Sequence, residues 1–137
     1  MNTLINGNFQ LRVQMTQMQL DIQSFSYEER HGILPNLTLA LADCGGWVLC
    51  RKALSASTME FRLEIQLGSI FDLYVSIVSS GLELTRSGHL ALTDLCNCRK
   101  NLADAAGLGQ IVTVRLEISF LEEMTLQSLL LTASAPA

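Results

Sequence analysis

Charged residues are scarce in this chain, and strongly basic segments are missing from it. Asp, Glu, Lys and Arg together make up 16% of the 137 residues and leave a net charge of −4. Average soluble domains hold roughly 25% charged residues. Binding to nucleic acid requires a basic face that displaces counterions from the phosphates. Because the sequence supplies no such face, we expect no nucleic-acid partner.

The sequence also lacks a long apolar run and a basic leader. A membrane-spanning helix needs roughly 18 or more consecutive apolar residues, and no run reaches that length. Residues 1–11 contain no basic segment followed by an apolar core, which is the pattern of a signal peptide. We therefore expect no membrane partner and a cytoplasmic location.

Cysteine is present at only four positions, and these do not follow a common metal-site spacing. A disulfide framework is typical of small secreted chains, whereas a chain of this length can build a core without one. Cys96 and Cys98 form a C-x-C pair with no second ligand pair behind it, so packed cysteines are favoured over a metal site. Gly107 and Gly109 precede a strand, which is not the position of a phosphate-binding loop. We expect free thiols, no metal and no cofactor.

The chain has only two histidines, which limits acid–base chemistry. A hydrolytic triad needs a nucleophile, a base and an orienting acid. His89 is close in sequence to Ser87 and Asp94, but the spacing does not place His89 and Asp94 on one helical face. His31 lies in a polar segment and is interpreted as a loop residue that contacts a ligand at most. We assign no catalytic residue.

What the chain does have is apolar side chains, at 49% of its residues. A small domain has much surface and little interior, so part of this apolar content is expected on a surface that a partner covers. The favoured interpretation is a homo-oligomer that associates through exposed sheet edges or an apolar helix face. The alternative is a monomer whose surface consists of Ser, Thr, Gln and Asn.

An internal repeat is the strongest structural signal. Gly32 and Gly45 enclose an apolar segment, and Gly68 and Gly81 enclose another of equal length, each with apolar residues at helical spacing. The repeat predicts helices over residues 34–44 and 69–80, with Pro35 in the first turn of the former. It also places the two pairs of glycines at equivalent loops and equivalent helix ends.

Alternating apolar and polar residues predict the strands. The clearest cover residues 59–67 and 112–120, and shorter ones cover 47–50 and 82–86, with a hairpin turn at 55–58 and a further helix at 89–106. Residues 9–25 alternate with one slip and also fit a helical stripe; the strand is preferred. Arg-Leu-Glu-Ile occurs at both 62–65 and 115–118, which indicates either neighbouring strands with paired charges or only good strand chemistry.

The order of these elements predicts an α+β protein with a ferredoxin-like βαββαβ core and an additional C-terminal helix and strand. We expect a single domain over residues 1–137. The core would occupy about 9–86, the helix–strand extension 87–121 and a tail 122–137.

The stretch from Gly32 to Val48, with apolar residues 33, 34, 37 and 40–42 followed by Gly45, Gly46 and Trp47, resembles the first helix of ACT domains. The resemblance implies a non-catalytic regulatory module that pairs through strands or helices and binds a small ligand, often an amino acid, near the first loop. By position, Gly32, Ile33 and Leu34 would offer backbone groups to this ligand, and Asn36 a polar side chain. Trp47 is interpreted as the cover of the first helix end, with an interface anchor as the alternative.

The functional hypothesis is therefore a non-catalytic regulatory or partner-binding module, oligomeric and able to bind a small ligand such as an amino acid. The alternative is a structural or assembly subunit without a small-molecule site. A small enzyme that uses His31 or His89 is the third hypothesis.

Overall fold

The computed structural model describes residues 17–101 and 105–123, which form one mixed sheet and a layer of helices. The strands are β1 (Gln17–Ser26), β2 (Trp47–Ala53), β3 (Thr58–Gln66), β4 (Glu83–Leu84) and β5 (Ile111–Phe120). The helices are α1 (Arg30–Asp43), α2 (Ile70–Ser79), α3 (Arg86–Asn101) and the short α4 (Ala105–Leu108), with a 3-10 turn at Leu67–Ser69.

The sheet has five strands in the order β2-β3-β5-β1-β4. β5 runs parallel to β1 and antiparallel to β3, while the β1–β4 and β2–β3 pairs are antiparallel. The three long helices lie side by side, with α2 in contact with both α1 and α3. The predicted α+β class is confirmed. The additional strand, β5, lies at the centre of the sheet and separates β1 from β3.

The core lies between the sheet and the helices, and the strand alternation predicts its members. Phe61, Leu63 and Ile65 of β3 are buried, and so is every second residue of β5 from Val112 to Phe120. Helix α1 contributes Ile33, Leu37 and Leu41. Each such side chain stabilises the fold by roughly 1.5–3 kcal/mol relative to an exposed one.

The glycine repeat is confirmed at the helix ends. Gly45 follows α1 with φ of 91° and Gly81 follows α2 with φ of 100°, a backbone region that favours glycine. The internal match also holds, because Leu37 and Leu41 of α1 and Leu73 and Ile77 of α2 are buried at corresponding positions.

The start of α1 differs from the prediction. The helix begins at Arg30, so Gly32 lies inside it, whereas Gly68 lies in the 3-10 turn, and Pro35 is past the first turn. The Arg30 guanidinium makes two bonds to Glu123, of 3.1 and 2.8 Å, and stacks over the Phe120 ring at 5.1 Å. These tertiary contacts hold the first turn in place, and no local sequence pattern reports them.

Helix α3 also begins earlier than predicted, at Arg86, which shortens the preceding strand to Glu83–Leu84. The Thr85 hydroxyl accepts a hydrogen bond of 3.1 Å from the Gly88 backbone N–H, and the Thr85 carbonyl accepts one from His89. Thr85 is therefore the residue that caps α3, one residue before its first turn.

The elements predicted at the two ends of the chain fall only in part within the described residues. Residues 17–25 form a strand, which confirms the strand interpretation over the helical one for that stretch. Residues 9–16 of the same predicted strand, and the tail beyond residue 123, lie outside the described residues.

Candidate functional site

One face of the sheet carries no helix, and its side chains are mainly polar. The register places four rows of side chains across this open face: Trp47, Glu64, Thr113 and Gln19; Cys50, Arg62, Arg115 and Asp21; Lys52, Glu60, Glu117 and Gln23; and Gln66 with Ile111. We call this surface the open face. It is the first candidate for a functional surface because nothing in the described residues covers it.

Glu60 is the centre of a charged cluster on the open face. Its side chain is only 2% exposed, because cations surround it rather than the apolar core. Arg115 donates to one carboxylate oxygen, while Arg62 Nε lies 3.1 Å and Lys52 Nζ 3.5 Å from the other. Arg115 also contacts Asp21 at 3.0 Å. The cluster thus joins four strands by side chains.

The surroundings of Glu60 act on its pKa in opposite directions. Burial raises the pKa of this carboxyl, but the hydrogen bonds and charges of Arg62 and Arg115 outweigh that effect and lower the pKa below its ordinary value. The pKa of Arg115 is raised: burial lowers it, and the bonds to Glu60 and Asp21 more than offset that. Both groups are therefore held in their charged forms.

The two Arg-Leu-Glu-Ile segments lie on neighbouring strands, as one interpretation of the sequence expected. Arg62 lies directly opposite Arg115 in the β3–β5 pair, and Glu60 lies opposite Glu117. Like charges therefore face each other, and the opposite charges pair diagonally, from Arg115 to Glu60. A depression of about 170 Å³ lies over this cluster, but the acids already neutralise the guanidinium groups that line it.

β2 forms the outer edge of the sheet and carries the most exposed apolar side chains of the described strands. Trp47 is 74% exposed and Leu49 is 51% exposed. The expectation that Trp47 covers the end of the first helix was therefore wrong. The ladder with β3 shifts register between Val48 and Cys50, which places Leu49 at a bulge.

A cleft opens beside Trp47 at the end of the sheet. Its volume is about 430 Å³. It is lined by Gly45, Trp47, Glu64, Ile65, Gln66, Ser69 and Ile111. We call it the Trp47 cleft. It combines an exposed indole, a carboxylate, an amide and a hydroxyl, and the sequence analysis did not find it because its residues come from four separate segments.

A second exposed apolar surface lies on the helix layer. Phe71, Val75 and Val78 of α2 are 48%, 49% and 46% exposed, and their spacing places them on one stripe. The guanidinium of Arg99 lies 5.6 Å from the centre of the Phe71 ring. A polar groove between α1 and α2, lined by Asn36 and Ser76 among others, runs beside this stripe.

The residues predicted to bind a small ligand all lie in α1. Gly32 and Asn36 are exposed, Leu34 is half-buried, and Ile33 is buried in the core. The backbone N–H groups of Gly32 and Ile33 both donate to the Glu29 carbonyl, so the helix already uses them. Ligand binding at these residues stays a prediction.

The histidines occupy separate places. His89 Nδ1 lies 2.6 Å from the Tyr74 hydroxyl, while the Ser87 hydroxyl lies 3.2 Å from that of Thr85. His31 is exposed on the first turn of α1. Within the described part of the chain, neither imidazole is hydrogen-bonded to a serine or cysteine that would serve as a nucleophile.

All four cysteines are free thiols. Cys96 is buried, and burial raises the pKa of its thiol against the opposing charges of Arg99 and Lys100. Cys50 is the exposed one, on the open face opposite Arg62. Over residues 17–101 and 105–123, no three His, Cys, Asp or Glu side chains gather as a metal site would require, and no helix is long and apolar enough to cross a membrane.

The fold and these surfaces define an α+β domain with an open charged sheet face, a bare strand edge and one mixed cleft. Comparison with known proteins adds no relative: no family model matches the chain, and no curated protein and no solved structure matches it either.

Proposed function

We propose that this chain is a non-catalytic binding module that pairs with a second copy of itself through the outer edge of β2. The observation that carries the proposal is that edge. β2 pairs with β3 on one side only among the described strands, and Trp47 and Leu49 are largely exposed on it. Unpaired N–H and C=O groups on a sheet edge are a template for another strand.

The other edge of the sheet is less suited to pairing. β4 has 2 residues, whereas β2 has 7. A strand of two residues offers too few backbone bonds for a partner strand, since each bond contributes only about 0.5–1.5 kcal/mol net. β2 is also apolar at its start, where Leu49 supplies surface that a partner would remove from water, while the Trp47 side chain projects from the open face.

Two features of β2 restrict how a second strand can pair with it. The bulge at Leu49 interrupts the ladder, and Arg51 and Lys52 add positive charge to the second half of the strand. Bulges and edge cations are devices that limit uncontrolled strand pairing. They favour a closed dimer in one register over open-ended aggregation, because a shifted register would bring like charges together.

The resemblance to ACT domains supports the same proposal, because strand pairing is one way in which such modules associate. It also extends the proposal to an amino-acid ligand near Gly32, Ile33, Leu34 and Asn36. A structural subunit without a ligand is the alternative. A thermal-shift screen against amino acids separates the two, since a ligand that binds only the native state raises the melting temperature. A rise that Asn36→Ala abolishes would favour the ligand-responsive form.

Sedimentation velocity at micromolar concentration tests the pairing. We expect a dimer for the wild type and a monomer for Leu49→Lys, because a third cation would then stand on the edge. Val75→Lys is the matched control on the α2 stripe, at nearly the same exposure, and should remain a dimer. A monomeric wild type would refute self-association, and loss of the dimer only in Val75→Lys would assign it to the helix layer instead.

A further inference from the structure

The Trp47 cleft holds an acidic side chain without an internal partner. Glu64 is half-buried, and its carboxylate forms no hydrogen bond or ion pair with any other residue of the described segments. Its neighbour on the same face of β3, Arg62, directs its Nε to Glu60, 3.1 Å away. The cluster at Glu60 thus takes up the nearby cations and leaves Glu64 as a net negative charge at the cleft.

The aromatic ring of the cleft stands next to this carboxylate. Trp47 lies directly opposite Glu64 in the β2–β3 pair, so both side chains project from the same face. Cβ atoms of such opposed residues are about 5 Å apart. Trp47 is 74% exposed, which leaves most of its ring surface free for contact. Indole is the side chain that attracts cations most strongly through its π face.

The remaining lining side chains suit the body and the donors of a small organic cation. Ile111, 37% exposed, adds apolar surface beside Gln66, which lies opposite it in the β3–β5 pair. The Gln66 amide oxygen and the Ser69 hydroxyl are acceptors for N–H groups. An ammonium group carries three N–H donors, so it can bond the carboxylate and one of these acceptors at once.

We propose that the Trp47 cleft binds an alkylammonium group, with the cation between the Trp47 ring and the Glu64 carboxylate and the alkyl chain against Ile111. The group belongs either to a free small amine or to a lysine side chain of a protein. This inference goes beyond the proposed function, because every residue of the cleft comes from one chain. Strand pairing at β2 is not needed for it.

The chain contains a single tryptophan, so its fluorescence reports on the cleft directly. The test is a titration of the full-length protein with butylammonium chloride, followed by tryptophan emission and by isothermal calorimetry. Butanol and butyrate are the neutral and anionic controls, and sodium chloride matches the ionic strength. We expect a saturable change with butylammonium and a dissociation constant on the order of millimolar for so small a ligand.

Variants assign the binding to the proposed groups. Glu64→Gln keeps the shape of the side chain and removes its charge, and we expect it to weaken binding about two- to fivefold, as for an exposed ion pair. Trp47→Leu, followed by calorimetry, should weaken it by a similar factor through loss of the cation–π contact. Asp94→Asn makes the same charge change at an exposed position of α3 and should leave the affinity unchanged. The titration is repeated with Leu49→Lys, so that failure of self-association and failure of binding are read separately.

Any one of four results would overturn the proposal. These are equal binding of butanol, an unchanged affinity in Glu64→Gln, an equal loss of affinity in Asp94→Asn, and no saturable signal with butylammonium. Nα-acetyl-lysine N-methylamide, which keeps its side-chain ammonium group free, then identifies the source of the ammonium group. Tighter binding of this lysine derivative than of butylammonium supports a lysine side chain of a protein, and weaker binding supports a free amine.

Discussion

The two faces of the sheet are built from the same strands and are held together in different ways. On the covered face, Phe61 and Leu116 lie opposite each other in a fully buried apolar core. One residue away on each strand, on the open face, Arg62 and Arg115 lie opposite each other and depend on Glu60 to bridge them. Burial stabilises the first face through apolar area, whereas the second depends on a network of charges that water and salt can weaken.

On the open face, a side chain is buried without belonging to the apolar core. Glu60 is as inaccessible as many core residues, yet cations and not apolar groups exclude water from it. We therefore expect substitutions on the two faces to differ in size, and also in their dependence on pH and salt.

Phe61→Ala should have the largest effect of the substitutions considered. It removes a fully buried ring and leaves a cavity between the sheet and the helices, which costs about 3–5 kcal/mol. Urea denaturation followed by far-UV circular dichroism measures the loss. Gln66→Ala, an exposed position on the open face of the same strand, is the control and should change stability by less than about 0.5 kcal/mol. Equal losses would contradict the distinction between the faces.

Glu60→Gln should have a smaller effect that depends on pH. The folded state lowers the pKa of Glu60 below its ordinary value of 4.5, so its contribution is present above that value and is lost as the pH falls through the lowered pKa. The wild type should therefore lose stability between about pH 5 and pH 2 more steeply than the variant. Urea midpoints measured across this range, at low and high salt, check the prediction. Parallel pH profiles for the two proteins would show that Glu60 is not a linked group.

The smallest losses of stability are expected from substitution of the two arginines, and the loss should be larger for Arg115 than for Arg62. Arg115→Met leaves three carboxylates without this partner and should cost on the order of 1 kcal/mol. Arg62 contacts Glu60 alone among the described side chains and is more exposed, so Arg62→Met should cost less than about 0.5 kcal/mol. Thermal unfolding of both variants gives the comparison. A larger loss for Arg62→Met would mean that Arg115 is not the main cation of the cluster.

Much of the covered face could be predicted from the sequence, because alternation along β3 and β5 reflects burial directly. The helical spacing in α1 and α2 and the glycines after them are also local signals. The burial of Leu37 and Leu41 in α1, and of Leu73 and Ile77 at the corresponding positions of α2, follows from them. The start of α1 could not be predicted, because contacts of Arg30 with Glu123 and Phe120 determine it across the fold.

The open face was less predictable, because a register cannot be read from one sequence. The repeated Arg-Leu-Glu-Ile indicated charge pairing, but the bridge at Glu60 depends on Arg62 lying opposite Arg115 and not one residue away. The Trp47 cleft required four segments to meet at one end of the sheet. The glycines after α1 suggested that Trp47 covers the end of that helix. In the structure, Trp47 instead lies on the open face, directly opposite Glu64 in the β2–β3 ladder.

The central position of β5 has a consequence for how the chain folds. The β2–β3 hairpin and the β1–β4 pair share no ladder, so within the described sheet only β5 joins them. Contacts such as that of Arg115 with Asp21 close a loop of 94 residues, whereas the hairpin closes locally. Docking of β5 between two preformed halves should therefore limit the folding rate, as expected for a topology of high contact order. Without residues 111–120, the described sheet would consist of two separate two-stranded parts.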